Sequence, residues 1–366
     1  MKNSHTLLII EEAFQKTQEF NYKRYIEEIS NLGNSSKKNR LRKHPVNQIL
    51  ETFGLHLMHK SLVSELEGNS YSKMGKWSSV GTLQFALKNP ERFDEVYNML
   101  EDVDSRDTFD WFMKFRAAYA FLGEIAKSIF PSSISSDEFA NAMSKLMLDS
   151  KGFVRLGIYK FLSNLSEVAG SWVFEQYNLK DKCKVSPYDC VIDGGAFKGE
   201  TAFWFLSKGA GKVHAFEPDN INFQVLSKNV MLNKVEGKII PIKTSLSDKN
   251  GMSRMKMIGS GSSSSLGNGG TEVECIILDS FMVKNSLSSI DFIKLDVEGA
   301  ETEVLRGATE TIKRFRPKIA ISVYHKPDDT VEIPTFLCNL LPEAKFYLRH
   351  FSDNISETIL FVNPRC

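Results

Sequence analysis

The sequence predicts an α/β protein in which a doubly wound, mostly parallel sheet with an antiparallel terminal hairpin follows an all-helical N-terminal region. Up to about residue 180, apolar residues repeat at helical spacing; beyond it, short β-branched runs alternate with helical stretches. Strands that alternate with helices favour a parallel sheet with helices on its faces. Two late apolar runs have no helix between them, which is typical of a hairpin at a sheet edge.

Length and composition limit the number of domains and the kinds of molecule that the protein could bind. The 366 residues are enough for two domains, which we place at 1–178 and 179–366. Lys and Arg total 46 and Asp and Glu total 45, so the chain lacks the excess of basic residues that binding to nucleic acid requires. No apolar run approaches the ~18 residues of a membrane helix, so no stable membrane insertion is expected. Five widely spaced cysteines without a C-x-x-C pair indicate reduced thiols and a cytoplasmic protein.

The first half contains helix signals but no chemical motif. A weak amphipathic pattern covers 6–30, a helix is expected to begin at Pro90, and aromatic residues fill 106–122. A further helix over 137–148 starts with a capping box. The basic segment 33–44 is either a solvated loop or a patch for an anionic ligand. We expect this half to serve substrate recognition or the formation of a homo-oligomer.

The second half is predicted to fold as β/α units. Strands are expected at 188–193, 212–217, 238–243, 291–296 and 318–324, and the terminal hairpin at 346–349 and 358–362. Helices are expected at 199–208, 219–233, 299–315 and 331–341. The Gly- and Ser-rich stretch 259–270 has no apolar content to anchor it and is predicted to be a mobile loop.

A glycine-rich turn follows the first of these strands. Asp193 stands at the end of the strand, and glycines at 194, 195 and 199 let a ligand approach the backbone closely. This spacing is not G-x-G-x-x-G, and the chain lacks a P-loop at this place. A carboxylate at the strand end would repel a diphosphate, whereas it suits a cationic ligand such as S-adenosylmethionine.

An acid also ends the second strand. Glu217 lies 18 positions beyond Gly199, where a carboxylate can accept hydrogen bonds from both hydroxyls of a ribose. The alternative is that Asp193 only caps a helix and Glu217 only precedes the turn at Pro218. Because the glycine turn and the two acids agree in spacing, we expect a Rossmann-like cofactor site at these strand ends.

Several motifs resemble those of the FkbM family of class I S-adenosylmethionine-dependent methyltransferases. They are VIDGGA at 191–196, FEP at 216–218, SSL at 264–266, DFIKLDVEGAE at 291–301 and SVYHKP at 322–327, and the similarity continues through LRHF at 348–351 and ET at 357–358. The resemblance implies O-methylation of a sugar, a glycan or a related polyol or natural product. By similarity, the cofactor would be held by Asp193, Gly194, Gly195, Ala196, Gly199, Glu200, Thr201, Glu217, Pro218, Ser245, Leu246 and Asp296.

Three residues near the ends of later strands are predicted to be catalytic: His325, Asp296 and Tyr324. His325 follows a buried strand, and its ordinary pKa of ~6.5 suits removal of a proton from an alcohol. The alternative for His325 is a structural hydrogen bond in the turn before Pro327. Asp296 would lie beside the cofactor or the acceptor hydroxyl, and Lys294 is expected to be its ion-pair partner.

Glu298, Ser264, Ser265 and His325 are the predicted acceptor-binding residues. Glu298 could instead serve only the N-terminus of the next helix, and the serine loop is either a lid or a plain connection. No cluster of carboxylates at metal-binding spacing is evident, so we expect no metal. The leading function is an S-adenosylmethionine-dependent O-methyltransferase. The alternatives are a nicotinamide-dependent oxidoreductase, a scaffold that keeps the cofactor fold and, least supported, a nucleic-acid methyltransferase.

Overall fold

The structure is a computed structural model that describes residues 4–31, 70–258, 263–266 and 271–364. The basic segment 33–44 lies outside these described residues. The chain divides into two compact units, Met1–Asp94 with Phe109–Ser132 and Glu95–Thr108 with Ser133–Cys366. By packing, residues 133–178 therefore belong to the unit that holds the sheet. The functional division at residues 178 and 179 stays a prediction.

The first unit is built from helices, as the apolar spacing predicted. Helices of this part of the chain are α1 (His5–Asn31), α2 (Ser70–Lys88), α3 (Pro90–Met99), α4 (Val103–Leu122) and α5 (Ala126–Ile129), of which α3 and α4 each run from one unit into the other. Aromatic residues form the core of the unit, where Phe93 packs edge-on against Phe109 and Trp111 stacks on Phe115. Among the described residues, none of the helices combines the length and apolar character needed to cross a bilayer.

The second unit holds the remaining described elements. Its helices are α6 (Ser136–Ser144), α7 (Leu165–Val168), α8 (Glu200–Ser207), α9 (Asn220–Leu232), α10 (Leu278–Lys284), α11 (Glu301–Gly307), α12 (Thr309–Phe315) and α13 (Asp329–Leu340). Its strands are β1 (Val154–Leu156), β2 (Tyr159–Phe161), β3 (Cys190–Gly194), β4 (Lys212–Phe216), β5 (Ile239–Ile242), β6 (Ser245–Leu246), β7 (Gly251–Ile258), β8 (Ser263–Leu266), β9 (Thr271–Ile276), β10 (Phe292–Leu295), β11 (Lys318–Ser322), β12 (Lys345–His350) and β13 (Thr358–Asn363).

Seven strands form the main sheet in the order β12-β13-β11-β10-β3-β4-β5. The five strands from β11 to β5 are parallel to one another, and β12 and β13 form the antiparallel edge. The chain moves outward in one direction from β3 to β5 and in the other from β10 to β11, so the order reverses between β3 and β10. Ligands of open α/β sheets bind beside such a reversal, at the carboxyl ends of the strands. The predicted Rossmann-like fold class is confirmed.

The predicted loop at 259–270 is partly wrong, because four of its residues form a strand. Ser263–Leu266 pairs antiparallel with β7, at the edge of a smaller sheet of order β6-β9-β7-β8. Backbone hydrogen bonds to a neighbouring strand stabilise such a pairing, and a run of serines gives no alternating pattern from which to predict it. Residues 259–262 and 267–270 lie outside the described part of the chain.

An ion-pair network joins the connection between α3 and α4 to the edge strand β12. Asp102 is one-fifth exposed and accepts hydrogen bonds from the backbone N–H of Ser105 at 2.9 Å and from Arg349 at 2.8 Å, and it also contacts Lys182. Although burial opposes it, these donors hold the pKa of Asp102 well below its ordinary value. The network therefore favours a charged Asp102 in the folded protein.

We expect Asp102→Ala to lower the free energy of unfolding by about 2–4 kcal/mol, because it leaves the charge of Arg349 without its principal partner. Asp104→Ala is the matched control: Asp104 lies 3.4 Å from the same guanidinium but is 77% exposed, so a loss below about 0.5 kcal/mol is expected. Urea unfolding of both variants measures the difference. Equal losses would show that the network is not a source of stability.

Candidate cofactor site and active site

The candidate site lies where β3, β4, β10 and β11 end. These strands are parallel, and their carboxyl ends meet at one edge of the sheet. The glycine turn follows β3, Glu217 follows β4, Asp296 follows β10, and His325 comes three residues after β11. The structure thus brings together the residues that the sequence pattern placed at strand ends, whereas their roles stay predictions.

The glycine turn is shaped by contact with the backbone after β10. Gly195 has a φ of +75°, and a Cβ at this position would lie 1.8 Å from the carbonyl oxygen of Asp296. Gly199, with a φ of +97°, occupies the position before the first residue of α8. A side chain at Gly195 would fill the space in which the turn and the segment after β10 meet, so glycine is what lets these two backbones pack closely.

Glu217 links this turn to the end of β4. One of its carboxylate oxygens accepts a hydrogen bond from the backbone N–H of Phe197 at 2.9 Å, and the other accepts one from Asp219 at 2.8 Å. The backbone N–H groups of Gly195 and Ala196 donate to the carbonyl oxygen of Phe216. Each carboxylate oxygen of Glu217 has capacity for a further hydrogen bond, as a ribose diol would need.

Burial raises the pKa of Glu217 to about 8 in spite of its two backbone donors. Hydroxyl donors stabilise a carboxylate, so a nucleoside that bound here would favour the deprotonated form. We therefore expect the affinity for S-adenosylhomocysteine to be about tenfold lower at pH 6.5 than at pH 8, because a proton must leave Glu217 on binding below its pKa.

Calorimetric titration over this pH range checks the prediction, with Glu217→Gln as the test variant and the exposed Glu236→Gln as its control. The control should keep the pH dependence and Glu217→Gln should lose it. The same pH dependence in all three proteins would show that Glu217 is not the group that titrates.

A buried ion pair between Asp193 and Lys294 stabilises the glycine turn. Asp193 is fully buried, with one oxygen 3.2 Å from the amine of Lys294 and the other accepting a hydrogen bond from the Thr201 hydroxyl at 2.6 Å. The same amine donates to the carbonyl oxygens of Gly194 and Gly195 at 3.1 and 2.7 Å. Both Asp193 oxygens are thus engaged within the protein, and Lys294 contacts Asp193 where the sequence had suggested Asp296 as its partner.

The other predicted cofactor residues border the same turn. Ser245 and Leu246 form the short strand β6, and a Leu246 methyl group would lie 3.3 Å from a Cβ built on Gly194. Ala196 is buried and Pro218 is half-buried. Glu200 is buried at the start of α8, where it accepts a hydrogen bond from the hydroxyl of Ser163 at 2.9 Å.

His325 lies among three carboxylates, which the sequence reasoning did not foresee. Its Nδ1 lies 2.9 Å from an oxygen of the fully buried Glu301, and its Nε2 lies 3.5 Å from Asp296 and 3.4 Å from Glu298. Burial opposes the charged imidazolium, but Glu301, Glu298 and Asp296 together raise the pKa of His325 well above its ordinary value. The three carboxylates therefore favour the imidazolium, in which both ring nitrogens carry a proton, and this limits the action of His325 as a base.

The hydroxyls of two tyrosines that are far apart in the sequence, Tyr177 and Tyr324, contact Asp296. The hydroxyl of Tyr177 donates to one carboxylate oxygen of Asp296 at 3.1 Å, and the hydroxyl of Tyr324 lies 3.4 Å from the other. Tyr324 also donates to Glu357 at 3.2 Å. Tyr324 was predicted to belong to the site, and Tyr177 was missed because no local motif marks it. Glu357 lies in the ET motif at 357–358 but was given no role.

Further acids surround the ion pair and this cluster. Burial, with the charge of nearby Glu167, raises the pKa of Glu200 to about 8. Burial and Asp296 likewise raise the pKa of Glu167 and of Glu357. The charged forms of these carboxyl groups are disfavoured in the protein alone. A cation bound near them would stabilise those charged forms.

The acceptor residues are only partly described. Glu298 lies beside His325, with an unusual φ of +55° that turns its backbone immediately before Gly299. Ser264 and Ser265 form part of β8, but their side chains lie outside the described part of the chain. Binding of the acceptor by these residues stays a prediction.

A sequence profile of the methyltransferase FkbM domain matches residues 193–347. The solved structure of methyltransferase FkbM from Methylobacillus flagellatus KT is similar to this chain, with a TM-score of 0.50 and 18% identity over 76% of this chain and 60% of that one. The chain thus spans about three fifths of that relative's length, and at this identity the likeness shows the fold.

Two other solved structures match less of the fold. Aeropyrum pernix fibrillarin, with natively bound S-adenosyl-L-methionine, has a TM-score of 0.34 and 12% identity over 54% of this chain and 74% of its own. A putative rRNA-methylase from Clostridium thermocellum has a TM-score of 0.32 and 13% identity over 49% of this chain and 87% of its own. No curated protein matches this chain.

The profile match and the first of these structures agree with the motifs at the strand ends. The profile match supports methyl transfer as the chemistry and S-adenosylmethionine as the predicted cofactor. Residues 193–347 of this chain match the methyltransferase FkbM domain, in agreement with the FkbM family resemblance that the motifs predicted.

Proposed function

We propose that this protein is an S-adenosylmethionine-dependent O-methyltransferase that acts on a hydroxyl of a sugar, a glycan or a related polyol. The observation that carries the proposal is the juxtaposition of the glycine turn after β3, Glu217 at the next strand end and the Asp296–His325 cluster after the adjoining strands. The cytoplasmic location and the small-molecule or glycan acceptor predicted from the sequence belong to the same proposal.

The chemistry of these residues fits the cofactor. Glu217 would accept hydrogen bonds from the ribose hydroxyls, and the backbone of the glycine turn, which Glu217 holds through Phe197, would lie against the bound molecule. Ser245 and Leu246 would border the adenine. Asp296 supplies a charged carboxylate, and Glu167 and Glu200, whose charged forms are disfavoured by burial, would ionise beside a bound sulfonium and ammonium group. When bound, S-adenosylmethionine supplies an electrophilic methyl group.

The residues of the protein would align the acceptor oxygen with the methyl group and accept the proton that this oxygen loses. Orientation of the two reactants contributes much of the rate in such a displacement. Asp296 lies beside His325 and the hydroxyls of both Tyr177 and Tyr324, so it is placed to hold an acceptor hydroxyl near the ring. His325 can act as the base only after losing the proton that its three carboxylate neighbours retain on it.

The test is transfer of a radiolabelled methyl group from S-adenosylmethionine to a panel of free sugars, nucleotide sugars, glycolipids and amines. We expect label on a hydroxyl compound and none on the amines. His325→Ala should lower the rate by about 100-fold or more, while His5→Ala, a change in the helical unit, should have no effect. Label on amines alone would refute O-methylation, and binding of cofactor with no transfer to any acceptor would favour the scaffold alternative.

A further inference from the structure

We infer that Asp296, Glu298 and His325 form a binding site for one divalent transition-metal cation. Asp296, Glu301 and His325 each bring a potential ligand atom within 4.8 Å of the others, and Glu298 joins them through its contact with His325. The inference concerns metal binding itself and stands whether or not an acceptor is found. It departs from the sequence-based expectation of no metal.

The distances around the imidazole suit a shared ion. Nε2 of His325 lies 3.5 Å from Asp296 and 3.4 Å from Glu298, longer than the ~2.7–3.2 Å of a good N–H···O hydrogen bond. Two ligands that each lie about 2.1 Å from one ion are themselves about 3.0–3.4 Å apart, depending on the coordination angle. Small movements of the two carboxylates would therefore complete the coordination.

An orphaned buried atom points into the same space. The side chain of His325 is only 10% exposed, and its Nε2 is buried with no hydrogen-bond partner. A polar nitrogen in this state costs free energy unless it gains a proton, a water molecule or an ion. Because Nε2 is aimed at two acidic side chains, a cation between them satisfies all three groups.

The opposite ring nitrogen is fixed in the manner of metal-binding histidines. Nδ1 lies 2.9 Å from an oxygen of Glu301, which is fully buried and also accepts a hydrogen bond from the backbone N–H of Val297 at 2.9 Å. A histidine that binds a metal through one nitrogen usually donates its other N–H to such a carboxylate. An ion that bound at Nε2 would displace the proton there, and Glu301 would hold the remaining proton on Nδ1.

The charges nearby leave the cluster in need of a cation. Lys294 forms its ion pair with Asp193, and Lys326 forms its own with Glu303 at 3.1 Å. Although burial opposes it, the charge of Lys294 also lowers the pKa of Asp296, so this one lysine is shared between Asp193 and Asp296 while three carboxylates surround His325. One imidazole nitrogen and two carboxylate oxygens favour Mn²⁺, Co²⁺ or Zn²⁺ over Mg²⁺ or Ca²⁺, which prefer ligand sets made only of oxygen.

Three protein ligands would leave coordination positions for small molecules, as catalytic metal sites do. On the proposed function, an acceptor hydroxyl could occupy one of them and lose its proton more readily there. This would remove the need for His325 to act as the base.

The test is titration of the chelator-treated, full-length protein with Co²⁺, followed by visible d–d absorption. We expect saturation at one ion per chain, displacement by Zn²⁺, and no competition from millimolar Mg²⁺. Glu298→Gln and His325→Ala should weaken Co²⁺ binding by 100-fold or more. Glu301→Gln, which changes only the group that orients the ring, should weaken it by about 10- to 100-fold.

Glu303→Gln is the matched control, because this neighbouring acid pairs with Lys326 outside the cluster. Absence of Co²⁺ absorption in the folded wild-type protein would overturn the inference, as would equal binding by the control and Glu298→Gln. Co²⁺ binding without binding of S-adenosylhomocysteine would refute the proposed function and leave the metal site standing. Binding of S-adenosylhomocysteine without binding of Co²⁺ would refute the metal site and leave the proposed function standing.

Discussion

Gly195→Ala is expected to weaken binding of S-adenosylhomocysteine by at least 100-fold. The added Cβ would stand 1.8 Å from the carbonyl oxygen of Asp296, an atom of the backbone that cannot rotate away. The φ of +75° adds strain for any residue with a side chain. The turn after β3 must therefore move from the segment after β10, which displaces the backbone proposed to contact the cofactor.

Gly237→Ala provides the control, since a Cβ at Gly237 would meet no atom within 4 Å. This variant should bind S-adenosylhomocysteine as the wild type does, and circular dichroism should show that both variants are folded. A change of less than threefold for Gly195→Ala would mean that the turn is not part of the binding site.

Lys294→Met is expected to lower the free energy of unfolding by about 3–5 kcal/mol. The substitution leaves Asp193, which has no exposed surface, as a buried charge without its cation. It also removes the hydrogen bonds to the carbonyl oxygens of Gly194 and Gly195. Urea unfolding measures the loss, and the exposed Lys228→Met should change stability by less than about 0.5 kcal/mol.

The double variant Asp193→Asn with Lys294→Met separates charge from packing. If the unpaired carboxylate causes the loss, the neutral pair should recover at least half of the stability that Lys294→Met removes. No recovery would indicate that the alkyl chain and the carbonyl contacts of Lys294, instead of its charge, stabilise the turn.

The strands of the main sheet could be predicted because each is a short apolar run between polar residues. Phe292–Leu295 and Lys318–Ser322 are buried on both faces, so the sequence there is almost continuously apolar. The hairpin of β1 and β2 and the whole smaller sheet, β6 to β9, were missed. Of these strands, β1, β2, β6 and β8 have only two to four residues each, too few to show a repeating pattern.

The predicted helix over 299–315 is interrupted in the structure. Two helices, α11 and α12, meet at Ala308, whose φ of −112° and ψ of 7° are not helical. The preceding Gly307 lies against the carbonyl oxygen of Ser247, where a Cβ would come within 2.1 Å. This break depends on a contact with a distant segment, which the apolar spacing of the helix cannot reveal.

The candidate site was predictable where a motif follows a strand. Asp193 and Glu217 were placed correctly at strand ends by their distance from the glycines. Tyr177 was not, because it lies 119 positions from Asp296 and comes near it only in the folded chain. Glu301 is the first residue of α11, and its contact with the ring of His325 joins two segments that no spacing in the sequence relates.

Calorimetric titration of the wild-type protein with S-adenosylhomocysteine, beside NAD, tests the central claim most directly. That claim is that the glycine turn and Glu217 form a binding site for the methyl donor. We predict saturable binding of S-adenosylhomocysteine at one site per chain and no binding of NAD. Binding of NAD instead, or no binding of either ligand by the folded protein, would contradict the account.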